Sequence, residues 1–413
     1  MNLFTLIFSY LKSRPLNTLL NILLLALGIA MITVLLVFNN QMQAKITDNT
    51  KGIDLVVGAK GSPLQLILCN VFHIDFPTGN IKLSEADKLA KHRLVKNAIP
   101  LALGDSYQNY RIIGTTHAYA ELYKVELARG ELWHSDMEVT VGATVAKLVN
   151  LKLGDTFSSA HGLSVDGHAH EEHPFVVKGI LKPTNSVVDN LILTNVGSIW
   201  QVHEHSETGV AVKTDSITAS VLVPTVSTSD STREITALLI KYRNPIAAIQ
   251  LPRYINSQTN MQAASPSFEA ARLFSILGVG IEALTGFAYV LIFISALSIF
   301  LALYNSLKER KYDLAIMRSM GASRSKLLLA TQIEGVSLTL CGSMLGIALG
   351  HMVLYLFTIL VSESQTSGLN AFTFYSEELY LLAGSLVLGM VCSLIPSVQA
   401  YRTDIHNVLA GNG

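Results

Sequence analysis

Charge is scarce in this chain. Lys, Arg, Asp and Glu make up 15% of its 413 residues, against roughly 25% in a soluble domain. The 30 basic and 30 acidic residues cancel, which removes the excess positive charge a nucleic-acid-binding domain carries. Cysteine is almost absent: Cys69, Cys341 and Cys392 are too few for a disulfide framework, and the last two lie in apolar stretches where they read as small hydrophobes. No G-x-x-x-x-G-K-[ST], G-x-S-x-G or H-E-x-x-H occurs, so ATP binding by a phosphate loop, serine hydrolysis and zinc proteolysis lose their usual signatures. The near miss DLVVGAKGSP, Asp54 to Pro63, has Lys60 ahead of Gly61, the reverse of a phosphate loop, and reads as a structural glycine turn. The chain is expected not to be an enzyme.

What is abundant is apolar sequence. Half the residues are hydrophobic and mean hydropathy is +0.41. A hydrocarbon core of about 30 Å needs about 20 apolar helical residues, and four runs qualify: 16–38, 278–303, 332–361 and 379–397. Lys12 and Arg14 precede the first, in the short amphipathic segment 1–15, and no clean small-residue cleavage site follows it, so it reads as an uncleaved anchor. The connection 304–331 carries Lys308, Arg310, Lys311, Arg318, Arg324 and Lys326, whereas 362–378 has no Lys or Arg. Basic residues in short loops stay inside, so the first connection is expected in the cytoplasm, the second outside, and both termini, with the tail 398–413, inside.

The long gap 39–277 then lies outside and is long enough for its own core. Its polar-apolar edges read as stalks continuing the membrane helices. Strand candidates are Met137–Val141, Phe175–Ile180, Asn190–Thr194, Ile217–Val223 and Thr236–Lys241, and helix candidates are Ser84–Arg93 and Gly142–Asn150. The expected fold is a membrane protein with four transmembrane α-helices and a large α+β extracytoplasmic domain inserted between helices 1 and 2.

Six of the twelve histidines fall between His161 and His205. His168 with His170 and His203 with His205 are i, i+2 pairs, which on a strand share a face as zinc or copper ligation requires; His173 stands beside the first pair. The competing reading is a solvated polar loop, because neither pair has a recognised spacing to a third ligand. Within the apolar runs Glu282, Glu334 and His351 are ionisable, and burying charge in lipid is costly. His351 reads either as part of a proton path or as a histidine packed among helices. Gly342, Gly346 and Gly350, spaced by four, form a face that lets another helix approach closely, in this chain or another.

The cytoplasmic connection is the most informative stretch. Leu314, Met317 and Met320 recur every three residues, Gly321 offers a helix stop and Ser323 a cap for the next helix. This describes a short amphipathic helix that either lies on lipid headgroups or inserts Leu and Met side chains into a cytosolic partner.

The segment ERKYDLAIMRSMGAS, Glu309 to Ser323, closely resembles the coupling loop of ABC transporter permeases of the MacB, LolC and FtsX class. Glu334 followed by the glycine face, the tail IPSVQAYRTDIHNVL with Ile405 in place of the usual proline, VGATVAKLVNLKLGDTF and FVVKGILKPTNSVVDN are similar to other parts of that class. The segment 304–405 resembles its permease domain. GAKGSPLQLILCNVFHIDFPTGNI points to a less-studied branch. The resemblance implies a bacterial inner-membrane permease, in a homodimer or paired with a related permease, carried by two copies of a separate cytosolic ATPase that binds the ATP and Mg. It implies that Glu309, Arg310, Asp313, Leu314, Met317, Arg318, Met320, Gly321 and Ala322 meet that ATPase. The chain itself then needs no cofactor, unless the histidines hold zinc. The work expected is export or extraction of a substrate at the outer side, with a periplasmic adaptor or lipoprotein as further partner. Competing expectations are regulation of an external cell-wall hydrolase and metal handling by the histidine cluster.

Overall fold

The computed structural model describes residues 15–161, 174–204, 233–360 and 369–402. The chain divides into two compact units, Met1–Met42 with Ile276–Gly413, and Gln43–Ser275.

The first unit is helical. Helix α1 (Pro15–Thr50) and helix α8 (Pro266–Glu309) each run on past the unit's boundary, and α10 (Arg324–Leu360) and α11 (Ser376–Arg402) lie wholly within it. All four are long and apolar enough to cross a membrane. The short helix α9 (Lys311–Ser319) links α8 to α10. Leu25 and Ile29 of α1, Ile299 and Leu303 of α8, Leu338 of α10 and Cys392 of α11 pack as one apolar cluster. Polar side chains add bonds between helices: the Ser298 hydroxyl meets Asn21 Oδ1 at 2.5 Å, and Gln332 Nε2 donates to the Met390 carbonyl at 2.9 Å. In hydrocarbon such bonds replace the hydrophobic drive that lipid cancels.

The second unit is built on one mixed sheet. Its strands are β1 (Leu55–Ala59), β3 (Val95–Tyr107), β4 (Tyr110–Thr115), β5 (Leu127–Gly130), β6 (Glu138–Val141), β9 (Phe175–Leu181), β10 (Leu191–Asn195), β12 (Ala237–Tyr242) and β13 (Met261–Ala264), in the order β13-β1-β12-β3-β4-β10-β6-β9-β5. The two-residue strands β7 (Thr156–Phe157) and β8 (Ala160–His161) flank β9 and β3, and β2 (Ile81–Lys82) pairs with β11 (Glu234–Ile235) outside the main sheet. Pairs β4–β10 and β6–β9 are parallel and the other main-sheet pairs antiparallel. The long β3 is the seam, holding β12 along its first half and β4 along its second.

Both faces of this sheet are covered. Leu55, Val57, Ile112 and Ile192 point into one apolar core, and Val56, Ile113, Leu191 and Leu193 into the other. Successive strand residues alternate faces, so strands buried on both sides read as unbroken apolar runs. This corrects the glycine-turn reading of Asp54–Pro63: its first half is the buried strand β1, and only the residues after Ala59 turn, into helix α2 (Pro63–Asn70), whose Gln65 N–H is accepted by the Ser62 hydroxyl at 3.4 Å. Helices α3 (Leu83–Ala90), α5 (Ala143–Val149), α6 (Val196–Glu204) and α7 (Ala247–Gln258) line the first core, and α2 and α4 (His117–Leu122) the second. The strand candidate Ile217–Val223 lies outside the described residues.

The last turn of α1 belongs to this unit and packs within it. Asn49 is buried; its side-chain oxygen accepts the Val187 N–H at 3.1 Å and its carbonyl accepts the Tyr123 hydroxyl at 3.0 Å. Gly52, at φ +90°, then turns the chain into β1.

Beneath the second core His73 Nε2 hydrogen-bonds the Tyr119 hydroxyl at 2.9 Å, while its Nδ1 is enclosed with no partner among the described residues. Burial, and then the Arg111 charge, push this imidazole down to about 3. An unfolded histidine takes its proton near pH 6.5, so on acidification the unfolded state binds the proton first. Stability is then lost progressively from about pH 6.5 down to about 3. The denaturation midpoint of the inserted domain in the full chain is expected to fall across that window, and to fall less in His73→Phe; equal pH slopes would contradict the assignment.

Candidate functional site

The connection between α8 and α10 builds a tightly turned knuckle. Helix α9 ends in paired bonds from the Gly321 N–H to the Arg318 carbonyl and from the Ala322 N–H to the Met317 carbonyl, both 3.0 Å. Gly321 sits at φ +98°, a conformation that favours glycine. Two residues on, the Ser323 hydroxyl accepts the Lys326 N–H at 3.4 Å and opens α10. Two sharp turns thus follow from three residues, Gly-Ala-Ser.

The inner face of α9 is fixed by its own chain. Leu314 is buried with Leu307 of α8, Leu327 of α10 and Ala400 of α11, and Met317 packs against this cluster. Beside it Arg310 Nη1 stands 3.6 Å from Glu334 Oε1, both side chains largely buried. The residues expected to meet an ATPase therefore separate. Leu314 is turned inward, which corrects the expectation that it fills a partner's groove, and Met317 is only half exposed. Met320 is 82% exposed, with Asp313 and Glu309 also at the surface and Arg318 half-buried. Tyr312 and Ile316, which the three-residue spacing misses, join Met320 among the exposed large apolar residues. On a helix these lie four apart, at 312, 316 and 320, the signal the sequence offered.

Glu334 pairs with Arg310, whereas the glycines of the same helix pack elsewhere. A Cβ on Gly342 would meet Leu25 Cδ2 at 2.9 Å, on Gly346 the Ala26 carbonyl at 2.8 Å, and on Gly350 Thr33 Cβ at 2.8 Å. The glycine face is therefore occupied by α1 of the same chain. Gly28 does the same work for α1 against α8, and Gly335 and Gly389 for α10 against α11.

At the other end of α10, His351 is not solitary. Its Nδ1 lies 2.5 Å from the Ala371 carbonyl and its Nε2 3.0 Å from Glu378 Oε2. Since a carbonyl only accepts, Nδ1 donates, and one further proton is shared between Nε2 and the carboxyl group. The Tyr375 N–H reaches the other Glu378 oxygen at 3.1 Å. Gln41 of α1 binds both the N–H and the carbonyl of Asn370, at 2.9 and 2.7 Å. The clasp joins α1, α10 and α11. Glu378, Gln41 and Asn370 were not singled out from the sequence, because separations as large as 329 residues leave no local trace.

Of the proposed metal ligands, His168, His170, His173 and His205 lie outside the described residues, and the side chain of His203, on α6, is not described. Among the described residues no group of three metal-ligating side chains converges. Glu282 is exposed on α8.

Four apolar helices with a knuckle between the second and third, and an α+β domain inserted after the first, define a multi-pass membrane protein of the permease class. The family models agree. The MacB-like periplasmic core domain matches residues 18–238 and the FtsX-like permease C-terminal domain residues 285–405. The chain belongs to the ABC transporter permeases of the MacB and FtsX type. An uncharacterized ABC transporter permease of Methanocaldococcus jannaschii is 24% identical over 142 residues, 34% of this chain and 36% of that protein, so the chain spans about a third of the length of this curated relative. Among solved structures, the periplasmic region of MacB from Actinobacillus actinomycetemcomitans aligns at 15% identity and TM-score 0.34, covering 55% of this chain and 97% of that one. The extracellular domain of the noncanonic ABC-type transporter YknZ from Gram-positive bacteria aligns at 12% and 0.30, covering 52% and 99%.

Two substitutions test the helix contacts. Gly346→Val drives a side chain into the Ala26 carbonyl and Ile29, and is expected to destabilise the purified chain in detergent by about 1–3 kcal/mol, read as a lowered unfolding midpoint. Glu378→Ala leaves His351 Nε2 buried without its partner and is expected to cost about 3 kcal/mol, whereas Glu378→Gln can still hydrogen-bond both neighbours and costs less. Equal losses in the two Glu378 variants would contradict the clasp.

Proposed function

We propose that this chain is the transmembrane subunit of an ABC transporter in which a separate cytosolic ATPase, in two copies, hydrolyses ATP with Mg and drives the inserted domain through helices α1 and α8. The chain works beside a second permease copy in the bacterial inner membrane with both termini inside, and exports or extracts a substrate at the outer face. It holds no catalytic site of its own.

The observation that carries the reading is the two-sided construction of α9. Leu314 and the Arg310–Glu334 pair fasten it to the membrane helices, while Tyr312, Ile316 and Met320 are left exposed. A short helix with an anchored back and an apolar front suits docking into a groove of a partner. Short hydrogen-bonded turns join α9 to both neighbours, the Arg310 N–H to the Ser306 carbonyl on the α8 side and the Gly321 turn and Ser323 cap on the α10 side, a construction suited to passing a force applied there to both helices. The charge asymmetry of the two short connections supports a cytoplasmic location for this helix. Family membership and the absence of a Walker A sequence support a subunit that relies on an ATPase partner.

Met320→Asp places a charge on the exposed front without burying one in the fold. It is expected to reduce copurification with the cognate ATPase at least about tenfold, or ~1.4 kcal/mol, while the chain itself remains as stable as the parent. Undiminished copurification would contradict the docking role.

A further inference from the structure

The inserted domain carries a cleft of about 500 Å³ between α3 and α7, with Lys60, just after β1, at one side. This is the size of a small-molecule site. Lys88 and His92 come from the α3 side, Tyr254 from α7, and Glu85 completes the charged lining. His92 stacks on Tyr254, ring centroids 5.6 Å apart and planes at 21°. The His92 Nδ1 accepts the Leu94 N–H at 3.3 Å, which leaves Nε2 as the protonated, donating nitrogen. Among the described residues neither Lys60 nor Lys88 forms an ion pair, although Glu85 lines the same cleft.

The segments that carry and adjoin the cleft lining are strongly basic in a chain of zero net charge. Segments 82–96 and 241–253 together hold eight Lys and Arg against two acidic residues, Glu85 and Asp87. Strand pairing brings them side by side, Lys241 opposite Asn97 and Tyr242 opposite Val95, with the Arg243 guanidinium on the Val95 carbonyl at 3.1 Å. A cleft set in one sign of charge concentrates ligands of the other.

We infer that this cleft binds a phosphate ester of a polyol, free or as the headgroup of a phospholipid. Two ammonium groups and an imidazole N–H supply three separate donor groups, more than a carboxylate needs and suited to a tetrahedral phosphate. The volume exceeds that of the bare anion. Glu85 accepts from a ligand hydroxyl, and the exposed Tyr254 ring packs on the carbon skeleton. This site stands apart from the knuckle and does not depend on ATPase coupling.

The test uses the full chain in phosphatidylcholine nanodiscs, titrated calorimetrically with sn-glycerol 3-phosphate, with monomeric dihexanoyl phosphatidylglycerol, and with glycerol. Saturable binding of either anionic probe, absent for glycerol, is expected, and the tighter of the two identifies the source as soluble ester or lipid. The double variant Lys60→Gln, Lys88→Gln is expected to weaken it at least tenfold, whereas Lys241→Gln, outside the cleft lining, changes it less than twofold. Failure of both anionic probes to bind, equal binding of glycerol, or equal weakening by Lys241→Gln would overturn the assignment. Both lysines are exposed, so the variants are expected to fold; an unchanged unfolding midpoint verifies this, and a variant that failed it would be replaced by Lys60→Arg, Lys88→Arg, which keeps the charge and is expected to retain binding.

Discussion

The membrane unit depends on the close approach of α10 to α1 along Gly342, Gly346 and Gly350. Lipid is as apolar as leucine, so two helices gain little from hydrophobic burial in hydrocarbon and must gain from dense packing and hydrogen bonds. Glycine permits that density by removing the side chain where backbones meet. The other two contacts that define the unit lie on either side of this face on the same helix, Arg310–Glu334 toward its start and His351–Glu378 toward its end. Helix α10 is therefore the spine, with one polar link toward each end and a dry seam between them.

The inserted domain solves a different problem. In water its stability comes from covering both faces of one sheet, and the continuous seam of β3 lets two sets of strands share a core without a break. Asn49 ties the last turn of α1 into that domain through two hydrogen bonds. The polar groups of a helix end must be satisfied somewhere, and here they are satisfied within the domain.

Much of this was legible in the sequence, for identifiable reasons. Membrane helices announce themselves by length and composition alone, and β9 by its alternation, every second residue buried. The Gly321 stop and Ser323 cap are local chemistry and sit where the residue types require. Strands β1 and β4 escaped because Leu55-Val56-Val57 and Ile112-Ile113 are apolar on both faces and carry no period of two, and β3 because Pro100, Gly104 and Asp105 look like breakers. Helix α7 carries its buried face at Ala247, Leu251 and Ile255, but Pro252 obscures it. The family resemblance pointed to the knuckle yet could not say which side chains turn inward. That depends on Leu307, Leu327 and Ala400, which come from three different helices. The partner of the glycine face was likewise open, since a small-residue stripe serves a neighbour in the same chain or another equally well.

The pairing of α1 with α10 inside one chain is tested most directly by a disulfide. A Cβ on Gly342 would lie 3.2 Å from that of Leu25, within a few tenths of the about 3.5–4.5 Å a disulfide spans. In a chain with Cys341→Ser, the pair Leu25→Cys and Gly342→Cys is predicted to oxidise into a link within a single polypeptide, recovered as one crosslinked peptide pair from monomeric protein. Crosslinks that form only between differently tagged chains would contradict the account.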